Sequence, residues 1–185
     1  MKSQDIVLLL KLVSLEQQAN VADSPVAPEV FSMRALEEAT GISKSEVSSA
    51  MQRCFAVGLA KSERKTGLPR TNSKALYEFI AYGLKYVFPA KPGAITRGIA
   101  TGHAAPIMAG KLLSAGQHVY VWPDAQGNVT GQGVEPLFRT VTKAVKQDEN
   151  LYAMLALVDA IRLGNEREAA LAKKMLQQML RGEPP

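Results

Sequence analysis

Cysteine and histidine are scarce in this chain. Of its 185 residues, one is a cysteine, Cys54, and two are histidines, His103 and His118. A single cysteine excludes an intrachain disulfide and is compatible with a reducing compartment, so we expect a cytoplasmic protein. The two histidines have no cysteine or carboxylate at metal-ligand spacing, and we therefore expect no metal site and no cofactor.

Long hydrophobic runs are also absent. The first apolar run, residues 6–10, ends at Lys11, whereas a membrane-spanning helix needs about 18 such residues. Asp5 lies where a signal peptide would carry positive charge, so we expect neither a signal peptide nor a membrane partner. Because no acid, base and nucleophile cluster together in the sequence, we also expect that the protein is not an enzyme.

Positive charge is concentrated in the middle of the chain. The sequence contains 22 Lys and Arg against 17 Asp and Glu, for a net charge of +5. Residues 43–97 hold ten basic and three acidic residues, a net +7, and the other twelve basic and fourteen acidic residues give −2. A positive region between near-neutral flanks is typical of a face that binds a polyanion, but a solvated basic surface has the same composition.

Helical spacing of apolar residues predicts two helices near the start of the chain. The first is expected from residue 3 or 4 to residue 16, and a polar connection with two prolines follows it at residues 17–29. Residues 30–31 suggest a very short strand. Ser32 is expected to cap a second helix of about two turns.

A glycine-containing turn then joins the second helix to a longer one. Gly41 permits the left-handed backbone that commonly ends a helix. Ser43 and Glu46 have the spacing of a capping box, which predicts a helix from Ser43 to about Val57. Its expected inner face consists of Val47, Ala50, Met51, Cys54 and Phe55. The basic segment 60–72, which contains glycine and proline, predicts a short hairpin or a flexible loop.

Residues 33–59 resemble the helix-turn-helix of winged bacterial regulators such as the MarR-like group. The pattern of that group is Leu-Ala-x-x-x-Gly-Ile-Ser-x-Ser-x-Val-Ser-x-Ala, followed by an apolar helix that ends in Gly-Leu. The residues that fall close to this pattern are Leu36, Ala39, Gly41, Ile42, Ser43, Ser45, Val47, Ser48, Ala50, Gly58 and Leu59. The resemblance covers about residues 1–75, and it implies a recognition helix at residues 43–57 and a basic wing at residues 60–72.

The resemblance also implies a function, a partner and a set of binding residues. A recognition helix needs an apolar back and short polar groups in front, so that it can enter the major groove of DNA. The residues expected to contact double-stranded DNA are Ser43, Lys44, Ser45, Ser48, Ser49, Gln52, Arg53, Arg64, Lys65 and Arg70. The implied protein is a transcriptional regulator that binds a palindromic site as a homodimer.

The resemblance implies phosphate or minor-groove contacts for Arg64, Lys65 and Arg70, and Arg53 is expected to reach the DNA backbone. If about five cations contact phosphates in each protomer, a dimer would lose affinity with salt with a log–log slope of about −9. The first two turns of the recognition helix contain neither arginine nor asparagine. We therefore expect sequence preference to depend on the wing or on DNA shape.

The second half of the chain is expected to be helical and rich in loops. Residues 73–87 predict a helix, whereas residues 88–107, dense in proline and glycine, predict no regular structure. A short helix at 108–113 and a small hairpin formed by 118–122 and 129–131 are expected next. The last predicted helices are 136–146, one that runs from a cap at Asp148 to Leu163, and one that begins at an Asn165–Glu168 capping box.

These elements define the expected fold class and domains. The protein is expected to be mainly α, within the α+β class: a winged helix-turn-helix with a small β-wing, then a helical C-terminal region with a short β-hairpin. Residues 1–75 form the expected DNA-binding domain. Residues 76–185 form the expected dimerisation or partner-binding region.

A protein-interaction module is the alternative function. In that case the chain is antitoxin-like or a subunit of a complex, its helix-turn-helix is a scaffold, and residues 88–108 bind a protein partner. Arg97, Thr101 and His103 lie in this stretch and could bind an anion, but the strand-to-helix setting and the lysine-serine ending of a phosphate-binding loop are missing. Copurification with a stable partner, without DNA binding, would favour the module.

Overall fold

The computed structural model describes residues 1–21, 27–111 and 119–185. Within these ranges the protein is mainly helical and has two small sheets, an α+β architecture. No helix in the three ranges is both long and apolar enough to cross a membrane.

In the first half of the chain, residues 1–21 and those from 27 onward form three helices and a two-stranded sheet. Its elements are α1 Ser3–Val21, a 3-10 turn Pro28–Phe31, α2 Met33–Thr40, α3 Lys44–Ala56, β1 Ala60–Ser62 and β2 Pro69–Thr71. The two strands are antiparallel, with Lys61 paired to Arg70. The second helix, the third helix and the hairpin lie where the sequence predicts them.

Two predicted secondary-structure assignments in this half are wrong. The first helix continues to Val21 instead of ending at residue 16. In the added turn, the Gln17 side chain donates to the Met179 carbonyl and accepts from the Asn150 amide. Residues 30–31 form part of a 3-10 turn and not a strand, since Pro28 occupies the first turn of a helical segment. The remainder of the predicted connection, residues 22–26, lies outside the described residues.

The turn between α2 and α3 is held by both halves of the chain. The Ser32 side chain accepts a hydrogen bond from the Ala35 amide at the start of α2, and Gly41 ends the helix with a φ of 70°. From the second half, the Thr140 hydroxyl donates to the Thr40 carbonyl at 2.6 Å. A Cβ on Gly41 would lie 2.8 Å from the Cβ of Thr140, so glycine is needed here for its backbone angle and for space.

The described residues of the second half form five helices and three strands. Its elements are α4 Ser73–Glu78, a π-helical turn Phe79–Gly83, α5 Leu84–Val87, β3 Ile95–Thr101, 3-10 turns at Gly102–Ala104 and Pro106–Met108, β4 Tyr120–Pro123, β5 Val129–Gly133, α6 Val141–Val145, α7 Glu149–Leu163 and α8 Glu166–Leu180. The predicted caps at Asp148 and Asn165 are confirmed, since each side chain accepts a backbone amide. Asn72 caps α4 in the same way. The helix predicted at 136–146 is shorter, and the end of the one predicted at 108–113 lies outside the described residues.

The three strands of the second half close into a small barrel. β3 is antiparallel to both β4 and β5, and Gly98 pairs with Pro123 on one side and with Val129 on the other. β4 and β5 are parallel to each other, with Tyr120 paired to Gln132. The predictions of no regular structure at 88–107 and of a hairpin formed by 118–122 and 129–131 are therefore wrong. The two segments expected to form an antiparallel hairpin are parallel to each other, and both pair with β3.

Glycine makes this closure possible. A Cβ on Gly98 would lie 2.0 Å from the Trp122 carbonyl oxygen, and one on Gly127 would lie 2.2 Å from the backbone carbonyl of Gly98. A Cβ on Gly131 would lie 2.3 Å from the Val119 carbonyl oxygen. Backbones at this separation leave no room for a side chain.

One hydrophobic core contains residues from both halves of the chain. Residues 6–13 of α1 are buried on every face of the helix, including the charged Lys11. Its ammonium donates to Asp148 at the start of α7 at 2.7 Å. The boundary that we expect at residue 75 falls within α4, and α1 packs against both α3 and α7.

Candidate nucleic-acid interface

The back of α3 is fixed by apolar packing. Val47, Ala50, Met51 and Cys54 are buried, and α3 packs against α1 and α2. The assignment of Phe55 to this face is wrong, since its side chain is 41% exposed. Burial, with a contribution from the nearby Asp5 charge, raises the pKa of the Cys54 thiol to about 12. This thiol therefore stays protonated and unreactive, as expected of a core residue.

The front of α3 is exposed to solvent over most of its length. Lys44, Ser45, Ser49 and Gln52 are exposed, and Ser48 is half-buried. Ser45, Ser49 and Gln52 follow one another at intervals of four and three residues, so that they form one row along the helix. Ser43, directly before the helix, is exposed as well.

The capping box predicted for α3 is not formed. The Ser43 side chain accepts no backbone amide, and its hydroxyl lies 3.4 Å from that of Ser45. Glu46 instead accepts from the Lys2 ammonium at 3.0 Å and from the Gln4 amide at 2.5 Å, and these hydrogen bonds lower its pKa. The first-turn amides of α3 consequently lack a side-chain acceptor within the described residues, which leaves them open to an anion.

Arg53 is used inside the protein. Its guanidinium donates to the Asp5 carboxylate through two hydrogen bonds of 2.9 and 2.7 Å, and these raise the pKa of Arg53. The Asp5 side chain is 0% exposed, so its charge needs a partner that cannot leave without a large penalty. The structure therefore places Arg53 against α1, although we expected it to reach the DNA backbone.

The hairpin carries cations in two different states. Arg64 and Lys65 are exposed between its strands, next to Gly67 with a φ of 72°. Arg70 is half-buried, and its guanidinium lies 3.5 Å from Glu63 and 4.0 Å from Glu16. The charge of Arg70 is thus partly neutralised by its neighbours.

Three of the five expected phosphate-binding cations remain without an acidic partner. Lys44, Arg64 and Lys65 form no ion pair or side-chain hydrogen bond with another described residue, whereas Arg53 and Arg70 do. Sequence reasoning did not anticipate the partner of Arg53. The signal was available in Asp5, a carboxylate within a run of residues that the apolar spacing buries.

Arg97, Thr101 and His103, which could bind an anion, do not come together in one site. Arg97 donates to the Gly127 carbonyl, and the Thr101 hydroxyl donates to the buried Asp159 at 3.0 Å. His103 is buried, with its Nδ1 4.0 Å from a Glu168 oxygen. Arg97 and Thr101 thus serve separate internal contacts, and the buried Nδ1 of His103 has no hydrogen-bond partner among the described residues.

Asp159 forms a buried polar cluster at the centre of α7. It accepts from the Trp122 indole at 2.6 Å and from the Arg162 guanidinium at 2.7 Å. Burial raises the pKa of Asp159, and Arg162, Trp122 and Thr101 oppose that shift. This cluster joins the small barrel to the helices. The described residues contain no group of three or more His, Cys, Asp or Glu side chains that could hold a metal ion.

Comparisons with known protein families, with curated proteins and with solved structures gave no match for this chain. Its own side chains and their geometry therefore carry the functional argument.

Proposed function

We propose that the protein is a transcriptional regulator that binds double-stranded DNA through a winged helix-turn-helix. The observation that carries the proposal is the contrast between the two faces of α3. Its back is buried in the core, and its front presents Ser45, Ser49 and Gln52 to solvent. A helix that enters a groove needs this division between a fixed apolar face and short, unoccupied polar groups.

The dimensions of α3 suit a major groove. The helix has 13 residues, which corresponds to about 20 Å at a rise of about 1.5 Å per residue. The groove is about 12 Å wide and accepts one helix. The serines keep the front narrow, so that the helix backbone can approach the base edges closely.

Backbone contacts are assigned to the free cations and to the start of α3. Lys44 lies at the first residue of the helix, next to amides that can donate to a phosphate. Arg64 and Lys65, between the strands of the hairpin, act as the wing and contact phosphates or the minor groove. With three free cations in each protomer, a dimer is expected to give a salt slope of about −5, less steep than the −9 expected with five.

The proposal includes a homodimer on a palindromic site in a bacterial cytoplasm. Two-fold symmetry of the protein would match the symmetry of two half-sites about 34 Å apart. Sedimentation equilibrium of the protein, alone and on duplex DNA, tests this element. A strictly monomeric protein with one copy per duplex would remove the homodimer from the proposal.

A fluorescence anisotropy titration tests the proposed function. The protein is titrated into labelled duplexes from the region upstream of its own gene, from about 50 to 200 mM salt. The Arg64→Ala/Lys65→Ala variant is expected to reduce the steepness of the salt slope by about 2 per protomer, because each cation on a phosphate contributes about 0.9.

The matched control removes the same charge elsewhere. Arg167→Ala/Lys174→Ala changes two exposed cations of α8, and its slope is expected to match that of the unchanged protein. Absence of salt-sensitive binding would contradict the proposed function. Equal effects of the two double variants on the salt slope would contradict the role of the hairpin as a DNA-binding wing.

A protein-interaction module remains the second candidate. Its support is an exposed apolar group at the end of the first helical stretch of the second half: Tyr82, Tyr86 and Val87 are 64, 74 and 53% exposed. Stable copurification of a partner that is lost in the Tyr86→Ser variant, together with no DNA binding, would favour this function. The expected contact segment 88–108 is itself largely used by β3 and its neighbours.

A further inference from the structure

The row along the front of α3 continues for most of the helix. Ser45, Ser49, Gln52 and Ala56 are all exposed and lie within one narrow sector at helical spacing. From first to last they cover about 16 Å at about 1.5 Å per residue, the length of roughly five base pairs. These side chains are therefore the ones that face base edges if α3 enters the groove.

Two charged side chains of α3, next to this row, are held by internal contacts. Arginine reads guanine through two hydrogen bonds, and a carboxylate accepts from cytosine. Arg53 is held by both oxygens of Asp5, and Glu46 is held by Lys2 and Gln4. Contacts with Lys2 and with Gln4 and Asp5 of α1 thus occupy the guanidinium and the carboxylate that would favour a G·C pair.

The remaining groups have a different preference. The Gln52 amide forms no hydrogen bond within the described residues and is the only group in the row with a donor and an acceptor in fixed geometry. That pair matches N6 and N7 of adenine. Serine hydroxyls both donate and accept and therefore discriminate weakly. Phe55, which is 41% exposed, and Ala56 offer apolar surface to a thymine methyl group.

We infer that α3 selects an A·T base pair in the major groove and that Gln52 is the residue that reads the adenine. This inference rests on the proposed function and extends it to the base sequence. Lys44 lies eight residues before Gln52, about 12 Å along the helix. Any guanine contact by Lys44 therefore falls on a different base pair.

Selection from a random duplex library tests the inference. Duplexes with a random central segment are bound to the full-length protein, recovered and sequenced, in parallel for the unchanged protein and for Gln52→Ala and Gln52→Glu. The unchanged protein is expected to require A·T at one base pair of each half-site. Gln52→Ala is expected to relax that position by about 5- to 150-fold, and Gln52→Glu is expected to shift it towards C·G.

Two controls separate base reading from general effects. Gln147→Glu adds the same charge at an exposed position before α7, and its selected sequences are expected to match those of the unchanged protein. Replacement of the selected adenine by 7-deazaadenine removes N7. This replacement is expected to weaken DNA binding by the unchanged protein but not by Gln52→Ala. Equal melting temperatures of the proteins will show that the variants fold.

The outcomes distinguish a failure of the inference from a failure of the proposed function. DNA binding with the same sequence preference in all Gln52 variants would overturn the inference and leave the proposed function intact. A G·C requirement that changes with residue 52 would also overturn it. No DNA binding by the unchanged protein would overturn the proposed function itself.

Discussion

Residues 32–72, which contain α2, α3 and the hairpin, and residues 95–133, which contain the small barrel, acquire their structure differently. In the first region, neighbouring residues set the element ends: Ser32 caps α2, and Gly41 stops it. In the second, Gly98 pairs with residues 25 and 31 positions away, Pro123 and Val129. Helix caps and stops formed by neighbouring residues can be predicted from a sequence, whereas a close approach of distant backbones cannot.

The largest expected effect is a substitution at the crossing point of the barrel. Gly98→Ala would put a Cβ 2.0 Å from the Trp122 carbonyl oxygen, so backbone must move. We expect a loss of about 4 kcal/mol in the free energy of unfolding, measured by urea denaturation.

The matched control is a glycine of the first region. A Cβ on Gly67 meets nothing within 4 Å, and only its φ of 72° opposes alanine. Gly67→Ala is expected to cost about 1 to 2 kcal/mol. Equal losses at the two positions would contradict the distinction between close approach and local backbone angle.

The next effect concerns the buried ion pair between α1 and α7. Lys11→Met leaves the Asp148 carboxylate with Ser14 and the Leu151 amide as its donors. We expect a loss of about 3 kcal/mol, because an uncompensated buried charge remains. In Lys11→Met/Asp148→Asn the loss is expected to be smaller, and a larger loss in the double variant would contradict the ion-pair explanation.

The same pair predicts a dependence on pH. Burial alone would raise the pKa of Asp148, but Lys11, the Leu151 amide and Ser14 outweigh it and lower the pKa. The stabilisation is therefore present above the unfolded-state pKa of about 3.9 and is lost as pH falls through the lower folded-state value. Urea denaturation at a series of acid pH values should show a shallower loss for Asp148→Asn than for the unchanged protein.

A smaller effect is expected where the second half of the chain holds the turn of the first. Thr140→Val keeps the shape beside Gly41 but removes the donor to the Thr40 carbonyl. The expected loss is about 1.5 kcal/mol. Thr130→Val, at an exposed position in β5, is the control and should change stability by less than about 0.5 kcal/mol.

The smallest difference separates two serines of the same region. Ser32→Ala removes an observed helix cap and should cost about 1 kcal/mol. Ser43→Ala removes no cap and should change the free energy of unfolding by less than about 0.5 kcal/mol. A loss at Ser43 as large as that at Ser32 would indicate that its hydroxyl caps α3 in solution.

Sequence reasoning located the helices and the hairpin of the first region because each carries its own stop and start signals. Asp148 and the Asn165–Glu168 capping box were equally legible further along the chain. The capping box at Ser43 has the correct spacing but is not formed. Lys2 and Gln4, some forty residues away in sequence, compete for Glu46.

The barrel is not predicted from the sequence because its glycines are typical of segments without regular secondary structure. Three of them lie where a neighbouring backbone occupies the space of a Cβ, a property that depends on strands distant in the chain. Similarly, Arg53 has the sequence position of a DNA-binding residue, and only the packing of α1 against α3 reveals its pairing with Asp5. Among the expected site residues, the exposed row on α3 followed directly from helical spacing.

Disulfide cross-linking from position 49 is the most direct test that the front of α3 enters DNA. The Ser49→Cys variant offers one exposed thiol, since Cys54 is buried and its pKa is raised to about 12. It is incubated with a selected duplex that carries a thiol tether in the major groove, beside Lys174→Cys on α8 as the control. We expect Ser49→Cys to form a cross-link and Lys174→Cys to form none. If both variants bind the duplex but cross-link equally, or if neither cross-links, the proposed orientation of α3 in the groove is contradicted.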